Sequence, residues 1–281
     1  MINRLGCGIV TYNPDIKRLN QNISAIVSQV DTVLIFDNGS SNIADIKNLC
    51  QGLNTIKIIE SECNVGISKA LNKIMEVFDN SCFKWVLTLD QDSVSPSNLA
   101  KELSKYCDEK VGAIGPVIQD LNKKEISSFT ENGIIERGRI ITSGCLTNVD
   151  AWRIVGKFDE EMFIDGVDFD FCDRLRKAGY KVLEVQNVFL IHEIGHIETH
   201  RFVFWKIDVK NHGPFRKYYI AKNIIYLDWK NKRPMFPFIS ILRVLKQVAL
   251  VILYETDKLE KLKAMNKGVI DAFRICSGVA R

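Results

Sequence analysis

The first half of the chain alternates short apolar segments, typical of β-strands, with longer segments whose apolar residues recur at helical spacing. The strand-like segments are residues 5–11, 32–36, 54–59 and 84–89. Strands that alternate with helices of this length form βαβ units around a parallel sheet. The pattern therefore predicts an α/β fold, with a mainly parallel central sheet flanked by helices.

The second half has a different organisation. Shorter strands and glycine-containing loops are predicted beyond residue 111, with a helix over residues 168–178 and strands over residues 182–191. Helices are predicted over residues 218–229, 238–254 and 258–274. We therefore expect an α/β domain of residues 1–200 and a basic, mostly helical C-terminal extension of residues 201–281.

Charge is distributed unevenly along the chain. Residues 201–281 hold 17 Lys or Arg and 6 Asp or Glu, a formal charge of +11, so the other 200 residues carry −7 of the net +4. A basic region on an acidic body predicts an anionic partner, either nucleic acid or an anionic membrane surface. No nucleic-acid-binding module is recognisable, so we expect the membrane and no nucleic acid.

The long apolar run at residues 236–254 is interrupted by Arg243, Lys246 and Gln247. Two charges near its middle argue against a membrane-spanning helix. We predict an interfacial helix, with apolar residues in the acyl boundary and basic residues at the head groups. The alternative is an ordinary core helix or a homodimer interface.

Cysteine usage bears on the compartment. The eight cysteines include no Cys-x-x-Cys pair, and Met1 leads directly into a strand-like segment without a signal peptide. Both features predict a reduced, cytoplasmic compartment, with the cysteines as buried small hydrophobic residues. The apolar fraction of 46% and charged fraction of 26% are typical of a folded soluble protein.

Polar clusters follow four successive predicted strands. They are Thr11-Tyr12-Asn13, Asp37-Asn38-Gly39-Ser40, Asn64-Val65-Gly66 and Asp90-Gln91-Asp92. Each alone is typical of a turn, but four at one edge of a sheet indicate a nucleotide site, because open α/β sheets bind ligands at the carboxyl ends of their strands. The glycine-rich fingerprints of dinucleotide and ATP sites are absent.

The triplet Asp90-Gln91-Asp92 is the most informative of these clusters. Side chains alternate along an extended segment, so Asp90 and Asp92 are expected to face one divalent cation. The alternative is a solvated acidic turn.

A second acidic segment runs from Asp165 to Asp170. Asp168 is expected at a helix start, where the helix dipole favours its ionised form. Asp170 and Arg174 lie four apart and are expected to pair. The alternative is an N-capping aspartate beside an exposed ion pair.

The run from His192 to His196 spells His-Glu-x-x-His, the signature of zinc metalloproteases, and His200 follows. That motif functions only on a helix, whereas residues 182–188 favour a strand. We therefore expect His196 and His200 in a surface loop and keep the protease as an alternative.

The order of these clusters, over roughly residues 5–195, resembles the family 2 glycosyltransferases, which are inverting enzymes with the GT-A fold. The matching elements are the four strand-end clusters, Ser143-Gly144, the segment from Phe163 to Asp170, and His192. The segments Phe163–Asp168 and His212–Tyr219, with Lys222-Asn223 beyond, are similar to the rhamnosyltransferase branch.

The resemblance implies roles for individual residues. It assigns donor binding to Thr11, Tyr12, Asn13, Asp37, Asn38, Asn64, Gly66, Lys69, Asp90, Gln91, Ser143 and Gly144. It assigns Mg²⁺ or Mn²⁺ to Asp90, Asp92 and His192. It makes Asp168 the general base that deprotonates the acceptor hydroxyl, supported by Asp165, Asp170, Arg174, His212 and Arg216.

These inferences predict an inverting, metal-dependent glycosyltransferase, peripheral to the cytoplasmic face of the cell membrane. The expected donor is dTDP-rhamnose and the expected acceptor a lipid-linked precursor of a cell-surface polysaccharide. A UDP-hexose or UDP-galactofuranose is the alternative donor. Alternatives of another class are the zinc metalloprotease and a non-catalytic sugar-nucleotide binding protein.

Overall fold

A computed structural model describes residues 4–120, 133–192, 198–202 and 205–278. The chain divides into two compact units. The first comprises residues Met1–Phe163 and Val167–Glu193, and the second comprises Ile164–Gly166 and Ile194–Arg281. The boundary expected at residue 200, with the role of each side, stays a prediction.

The first unit is built on an eight-stranded sheet in the order β3-β2-β1-β4-β7-β5-β8-β6. Its strands are β1 (Leu5–Thr11), β2 (Thr32–Asp37), β3 (Ile56–Glu60), β4 (Trp85–Asp90), β5 (Val111–Asp120), β6 (Ile134–Glu136), β7 (Cys145–Asn148) and β8 (Lys181–His192). Its helices are α1 (Ile16–Ile26), α2 (Ile43–Cys50), α3 (Ile67–Asn80), α4 (Leu99–Ser104), α5 (Val149–Ile154) and α6 (Val167–Lys177). The predicted α/β fold is confirmed.

Small residues on the central strand β1 let helix α3 pack closely on the sheet. A Cβ atom on Gly6 would lie 2.3 Å from the Phe78 ring, and one on Gly8 would lie 2.3 Å from Cγ2 of Ile74. Ile74 and Phe78 are four apart on α3 and buried. Burying each such side chain contributes about 1.5–3 kcal/mol, so this contact fixes α3 on the sheet.

Register brings the predicted polar clusters to one edge of the sheet. Strand β1 pairs in parallel with β2 and β4, and Thr11 lies opposite Asp37 while Val10 lies opposite Asp90. The carboxyl ends of three neighbouring strands are therefore level. Strand β7 runs antiparallel to β4 with Cys145 opposite Thr88, so the chain just before β7 lies at that edge too.

The second unit contains a hairpin of β9 (Glu198–Phe202) and β10 (Trp205–Val209), and helices α7 (Pro214–Lys230), α8 (Phe238–Tyr254) and α9 (Lys258–Cys276). Helices α7 and α9 approach closely because Gly268 faces the α7 backbone, where a Cβ would lie 2.3 Å from the Tyr218 carbonyl oxygen. Across the residues that the structure describes, no helix is long and apolar enough to cross a membrane.

The cysteines differ from the prediction. All eight are free thiols, but Cys63 and Cys82 are exposed and Cys107 and Cys276 are partly exposed. The expectation that all are buried is wrong for these four. Cys63 and Cys82 lie in turns after β3 and α3 rather than on the faces of the elements that form the core.

Candidate active site

The carboxylate of Asp37 is buried at the end of β2, with 1% of the residue exposed. The hydroxyl groups of Thr11 and Ser40 donate to its Oδ1, at 2.9 and 2.5 Å. The backbone N–H of Ser40 donates to Oδ2 at 2.8 Å. These bonds satisfy most of the hydrogen-bonding capacity of the carboxylate, so Asp37 ties the ends of β1 and β2 together.

The second predicted cluster is a network of side-chain amides. The Nδ2 of Asn38 donates to Oδ1 of Asn64 at 2.9 Å, and the backbone N–H of Val65 donates to Oδ1 of Asn38 at 2.8 Å. Oδ1 of Asn64 also accepts the N–H of Gly66 at 3.0 Å. Asn38 and Asn64 therefore lie side by side, although 26 residues separate them.

Gly66 is required by a contact with another part of the chain. Its φ is +86°, and a Cβ there would lie 2.7 Å from the carbonyl oxygen of Phe163, which also accepts the N–H of Ile67 at 2.7 Å. The Asn72 side chain on α3 holds Phe158 through both backbone groups, at 2.9 Å each. The segment before Ile164 is thus anchored on α3, beside the predicted donor cluster.

The acidic triplet adopts a turn rather than an extended strand. Asp90 is the last residue of β4, and the N–H of Ser93 donates to the Asp90 carbonyl at 3.1 Å, which closes a four-residue turn. The expectation that Asp90 and Asp92 alternate as in a strand is therefore wrong. Both side chains are half-buried at the strand end, and the turn sets their relative placement.

Two residues of α1 that the sequence analysis missed hold this turn. Nδ2 of Asn22 donates to the carbonyl of Asp90 at 2.6 Å, and Nε of Arg18 donates to the carbonyl of Asp92 at 2.7 Å. Arg18 and Asn22 are four apart and share a helix face. A polar pair at that spacing beside the buried Leu19 and Ile23 was the available signal.

Gln91 and Tyr12 connect the turn to the end of β1. The Tyr12 N–H donates to Oε1 of Gln91 at 2.8 Å, and Nε2 of Gln91 donates to the Tyr12 carbonyl at 3.4 Å. The Tyr12 side chain is 47% exposed. Asn13 follows in a left-handed conformation, with φ at +46°, and its Oδ1 accepts the N–H and hydroxyl of Ser41.

Ser143 and Gly144 lie beside the acidic turn. The N–H of Asp90 donates to Oγ of Ser143 at 3.1 Å, and Oγ of Ser143 is 2.7 Å from Oγ of Ser93. The N–H of Gly144 donates to the Thr88 carbonyl at 2.7 Å. The acidic turn and the segment Ser143-Gly144, which are distant in sequence, are therefore joined by hydrogen bonds at one edge of the sheet.

Asp168 lies in the first turn of α6, where the helix dipole favours a carboxylate. The N–H of Phe169 donates to its Oδ1 at 2.9 Å, and the side chain is half-buried. Burial raises the pKa of the Cys145 thiol to about 11, and the negative charge of Asp168 adds to that rise. Asp168 therefore interacts electrostatically with Cys145, which lies one residue beyond Gly144.

Asp170 and Arg174 form the expected pair, and its carboxylate is buried rather than exposed. Asp170 is 1% exposed, and Nε of Arg174 donates to its Oδ2 at 2.7 Å. The Nη1 of Arg174 donates to the Val155 carbonyl at 2.6 Å, so the pair fastens α6 to the end of α5. Its support of the base stays a prediction.

The remaining support residues belong to the second unit. Arg216 donates through Nε to both oxygens of Asp165 at 3.0 Å and through Nη2 to Oδ1 at 2.6 Å. Nδ2 of Asn223 donates to the carbonyls of Ile164 and Asp165, at 2.8 and 2.7 Å. These contacts hold Asp165 in a left-handed conformation, with φ at +67°. The hydrogen bonds from Asn223 to this segment were not predicted from the sequence.

His212 is half-buried near this ion pair. Burial, together with the positive charge of Arg216, lowers the pKa of its imidazole to about 4, against the opposing effect of Asp165. Lys210 and Lys217 also disfavour the charged form. His212 is therefore neutral at physiological pH, so its imidazole has one nitrogen that donates a hydrogen bond and one that accepts.

This lowered pKa predicts a pH dependence of stability. In the unfolded chain a histidine titrates near about 6.5. Between that value and pH 4 the unfolded state binds more protons, so His212 makes the free energy of unfolding decrease as the pH falls. The variant His212→Gln should lack this part of the acid sensitivity in urea unfolding from pH 4 to 7. An imidazole NMR titration of His212 centred near pH 6.5 would contradict the assignment.

For the other predicted site residues, the structure describes less of the surroundings. Lys69 is exposed in the first turn of α3. The backbone of His192 ends β8, but its side chain, all of His196 and the His200 side chain lie outside the described residues. Because His192 ends a strand and His200 is in β9, the helix that a His-Glu-x-x-His zinc site needs does not begin at His192.

The donor atoms at the acidic turn suit a hard divalent cation. Asp90 and Asp92 offer carboxylate oxygens, which Mg²⁺ and Mn²⁺ prefer. Among the described residues, no three His, Cys, Asp or Glu side chains converge as a metal site. A cation bound through one or two carboxylates usually takes further oxygens from substrate phosphates and water, so this pair fits an ion shared with a diphosphate.

The chain is similar to known proteins over nearly all of its length. The family model for glycosyl transferase family 2 matches residues 7–148. The sequence is 30% identical to dTDP-rhamnosyl transferase RfbF of Shigella flexneri, over 97% of this chain and 96% of that protein. The family model covers the four strand-end clusters, and the relative extends the similarity through the C-terminal helices.

Solved structures agree on the fold. Mannosyltransferase PcManGT from Pyrobaculum calidifontis, solved with GDP-Man and Mn²⁺, has a TM-score of 0.59 and 14% identity, covering 99% of this chain and 76% of that chain. S. aureus TarS 1-349 in complex with UDP-GlcNAc has a TM-score of 0.60 and 12% identity, covering 98% and 90%. The predicted GT-A fold and the predicted enzyme class are confirmed: this chain is a glycosyltransferase and belongs to glycosyl transferase family 2.

Proposed function

We propose that this glycosyltransferase moves L-rhamnose from dTDP-rhamnose to a hydroxyl group of a lipid-linked polysaccharide precursor, at the cytoplasmic face of a membrane. The observation that carries the donor assignment is the 30% identity to a dTDP-rhamnosyl transferase over 97% of the chain. That similarity includes the segment around Asp168 and the second unit, which lie beyond the family-model match at residue 148.

Donor binding is assigned to the edge formed by β1, β2 and β4. The side chain of Asp37 is held in place by Thr11 and Ser40, and we assign it to the nucleoside of the donor. The exposed ring of Tyr12 offers a surface against which a nucleobase can stack. Asn64 and Gly66 lie beside that edge and would face the diphosphate.

Asp90 and Asp92 would hold Mg²⁺ or Mn²⁺, which when bound neutralises charge on the departing nucleoside diphosphate. The carbonyl contacts from Asn22 and Arg18 fix the backbone that carries both carboxylates. Asp168 would accept the proton of the acceptor hydroxyl as its oxygen bonds to C1 of the sugar. The bond from C1 to the diphosphate breaks on the opposite face, so the anomeric centre inverts in one displacement.

A panel of nucleotide sugars tests the donor. A ligand that binds only the folded protein raises its melting temperature, by an amount that grows with concentration over Kd. We expect dTDP-rhamnose with Mn²⁺ to give a larger shift than UDP-glucose, UDP-galactofuranose or dTDP alone. A larger shift in melting temperature with a UDP-sugar would mean that the donor is that UDP-sugar, while the assignment as a glycosyltransferase would stand. No shift with any donor would overturn the proposal.

A further inference from the structure

Helix α8 presents a continuous apolar face that is exposed. Six large side chains on it are between 41% and 57% exposed: Phe238, Ile241, Leu242, Leu245, Ile252 and Leu253. At 3.6 residues per turn these positions fall within an arc of about 120°, with the exposed Ala249 inside it. We call this surface the outward face of α8.

The opposite side of α8 is firmly attached to the second unit. Val244 and Val251 are buried in an apolar cluster with residues of α7 and α9. Nη1 of Arg243 donates to both oxygens of Asp228 at 2.8 and 2.9 Å, and the Ser240 hydroxyl donates to Oδ2 at 3.0 Å. The helix therefore has a fixed orientation, and its outward face is not a consequence of loose packing.

An exposed apolar surface of this extent indicates a binding partner. The ends of the helix prolong the face, because Met235 is 65% exposed just before α8 and Leu259 is 75% exposed just after it. Two kinds of partner match a flat apolar face on a helix: a second copy of the chain, or the boundary between lipid head groups and acyl chains.

The charge around α8 decides between these two kinds of partner. Residues 201–281 carry a formal charge of +11, and the exposed lysines on α8 and around its ends are Lys232, Lys246, Lys258 and Lys263. Two such surfaces repel each other across a symmetric interface. An anionic lipid surface attracts them, and each basic residue near it strengthens binding by about fivefold.

We propose that the outward face of α8 lies in the interface of an anionic membrane, with the flanking lysines at the lipid head groups. The idea that this surface brings the enzyme to a lipid-linked acceptor rests on the proposed function. Binding of the surface to lipid does not require the sugar donor, so it can be tested separately. Helices bound in this way lie parallel to the membrane plane, so α8 would also set the orientation of the second unit on the membrane.

Sedimentation of the full chain with vesicles tests the proposal. We expect binding to vesicles of phosphatidylcholine mixed with phosphatidylglycerol, and much weaker binding to phosphatidylcholine alone. The double variant Leu245→Glu/Ile252→Glu should bind the mixed vesicles about 100-fold more weakly. The matched control Leu53→Glu/Ile154→Glu places the same change at exposed apolar positions of the first unit, and it should bind like the unchanged protein.

The outcomes separate this proposal from the enzymatic one. Undiminished vesicle binding by the α8 variant, or equal binding to both vesicle types, would overturn the membrane assignment. The assignment would also be overturned if the unchanged protein is a dimer in light scattering, the α8 variant is a monomer, and neither protein binds vesicles. The outward face of α8 would then bind a second copy of the chain. The donor-induced rise in melting temperature should persist in the α8 variant; its absence from the unchanged protein would fault the donor assignment instead.

Discussion

Replacing Asp168 with asparagine is expected to lower the rate of sugar transfer by about 10²–10⁴-fold, the range over which a positioned general base contributes. Asparagine keeps the size and the helix-start position of the side chain but cannot accept the proton of the acceptor hydroxyl. Donor binding should be unchanged. The rate is measured as dTDP released from dTDP-rhamnose with a membrane lipid extract as acceptor, and donor binding by the shift in melting temperature.

Asp150→Asn is the matched control for this variant. Asp150 lies in the first turn of α5, as Asp168 lies in the first turn of α6, and it is ion-paired with Lys84 just before β4. Its replacement should leave the rate within about twofold, because an exposed ion pair contributes at most about 1 kcal/mol to stability. An Asp168→Asn variant as active as this control would remove Asp168 as the base, and the proton would have to go to another group.

Much of the candidate site was predictable because parallel sheets impose a simple rule. Once four strands were recognised, their carboxyl ends had to meet at one edge. The contacts of Asp37 with Thr11, and of Asn38 with Asn64, are consequences of that rule. The strand boundaries themselves needed only small changes, such as the extension of β2 to Asp37 and of β4 to Asp90.

Other features depend on tertiary contacts that no local pattern encodes. The turn at Asp90 replaces the expected alternation, because the Ser93 N–H bonds back to the Asp90 carbonyl and Ser143 takes the Asp90 N–H. The spacing of Arg18 and Asn22 places them on one helix face, but only the packing of α1 brings that face to the turn. The burial of Asp170 likewise depends on where α6 meets the end of α5.

Replacing Asp92 with asparagine is expected to reduce transfer by roughly 10²-fold or more. A bound divalent ion supplies several kcal/mol of charge stabilisation, and each 1.36 kcal/mol is about tenfold in rate. The clamps from α1 bind the backbone carbonyls rather than the carboxylate, so the turn should persist in the variant. The expected loss therefore belongs to the carboxylate itself. The added rise in melting temperature that Mn²⁺ gives with donor should disappear along with activity.

Removing the metal tests whether the effect of Asp92→Asn comes from loss of the divalent cation. Treating the unchanged protein with EDTA should lower its rate to near that of Asp92→Asn, while EDTA should change the variant little, because both act on one interaction and their effects do not add. Asp45→Asn, at an exposed position in the first turn of α2, should respond to EDTA like the unchanged protein. If Asp92→Asn retained the Mn²⁺-dependent part of donor binding, the cation would have to be held elsewhere, and the acidic turn would serve only to shape the edge of the sheet.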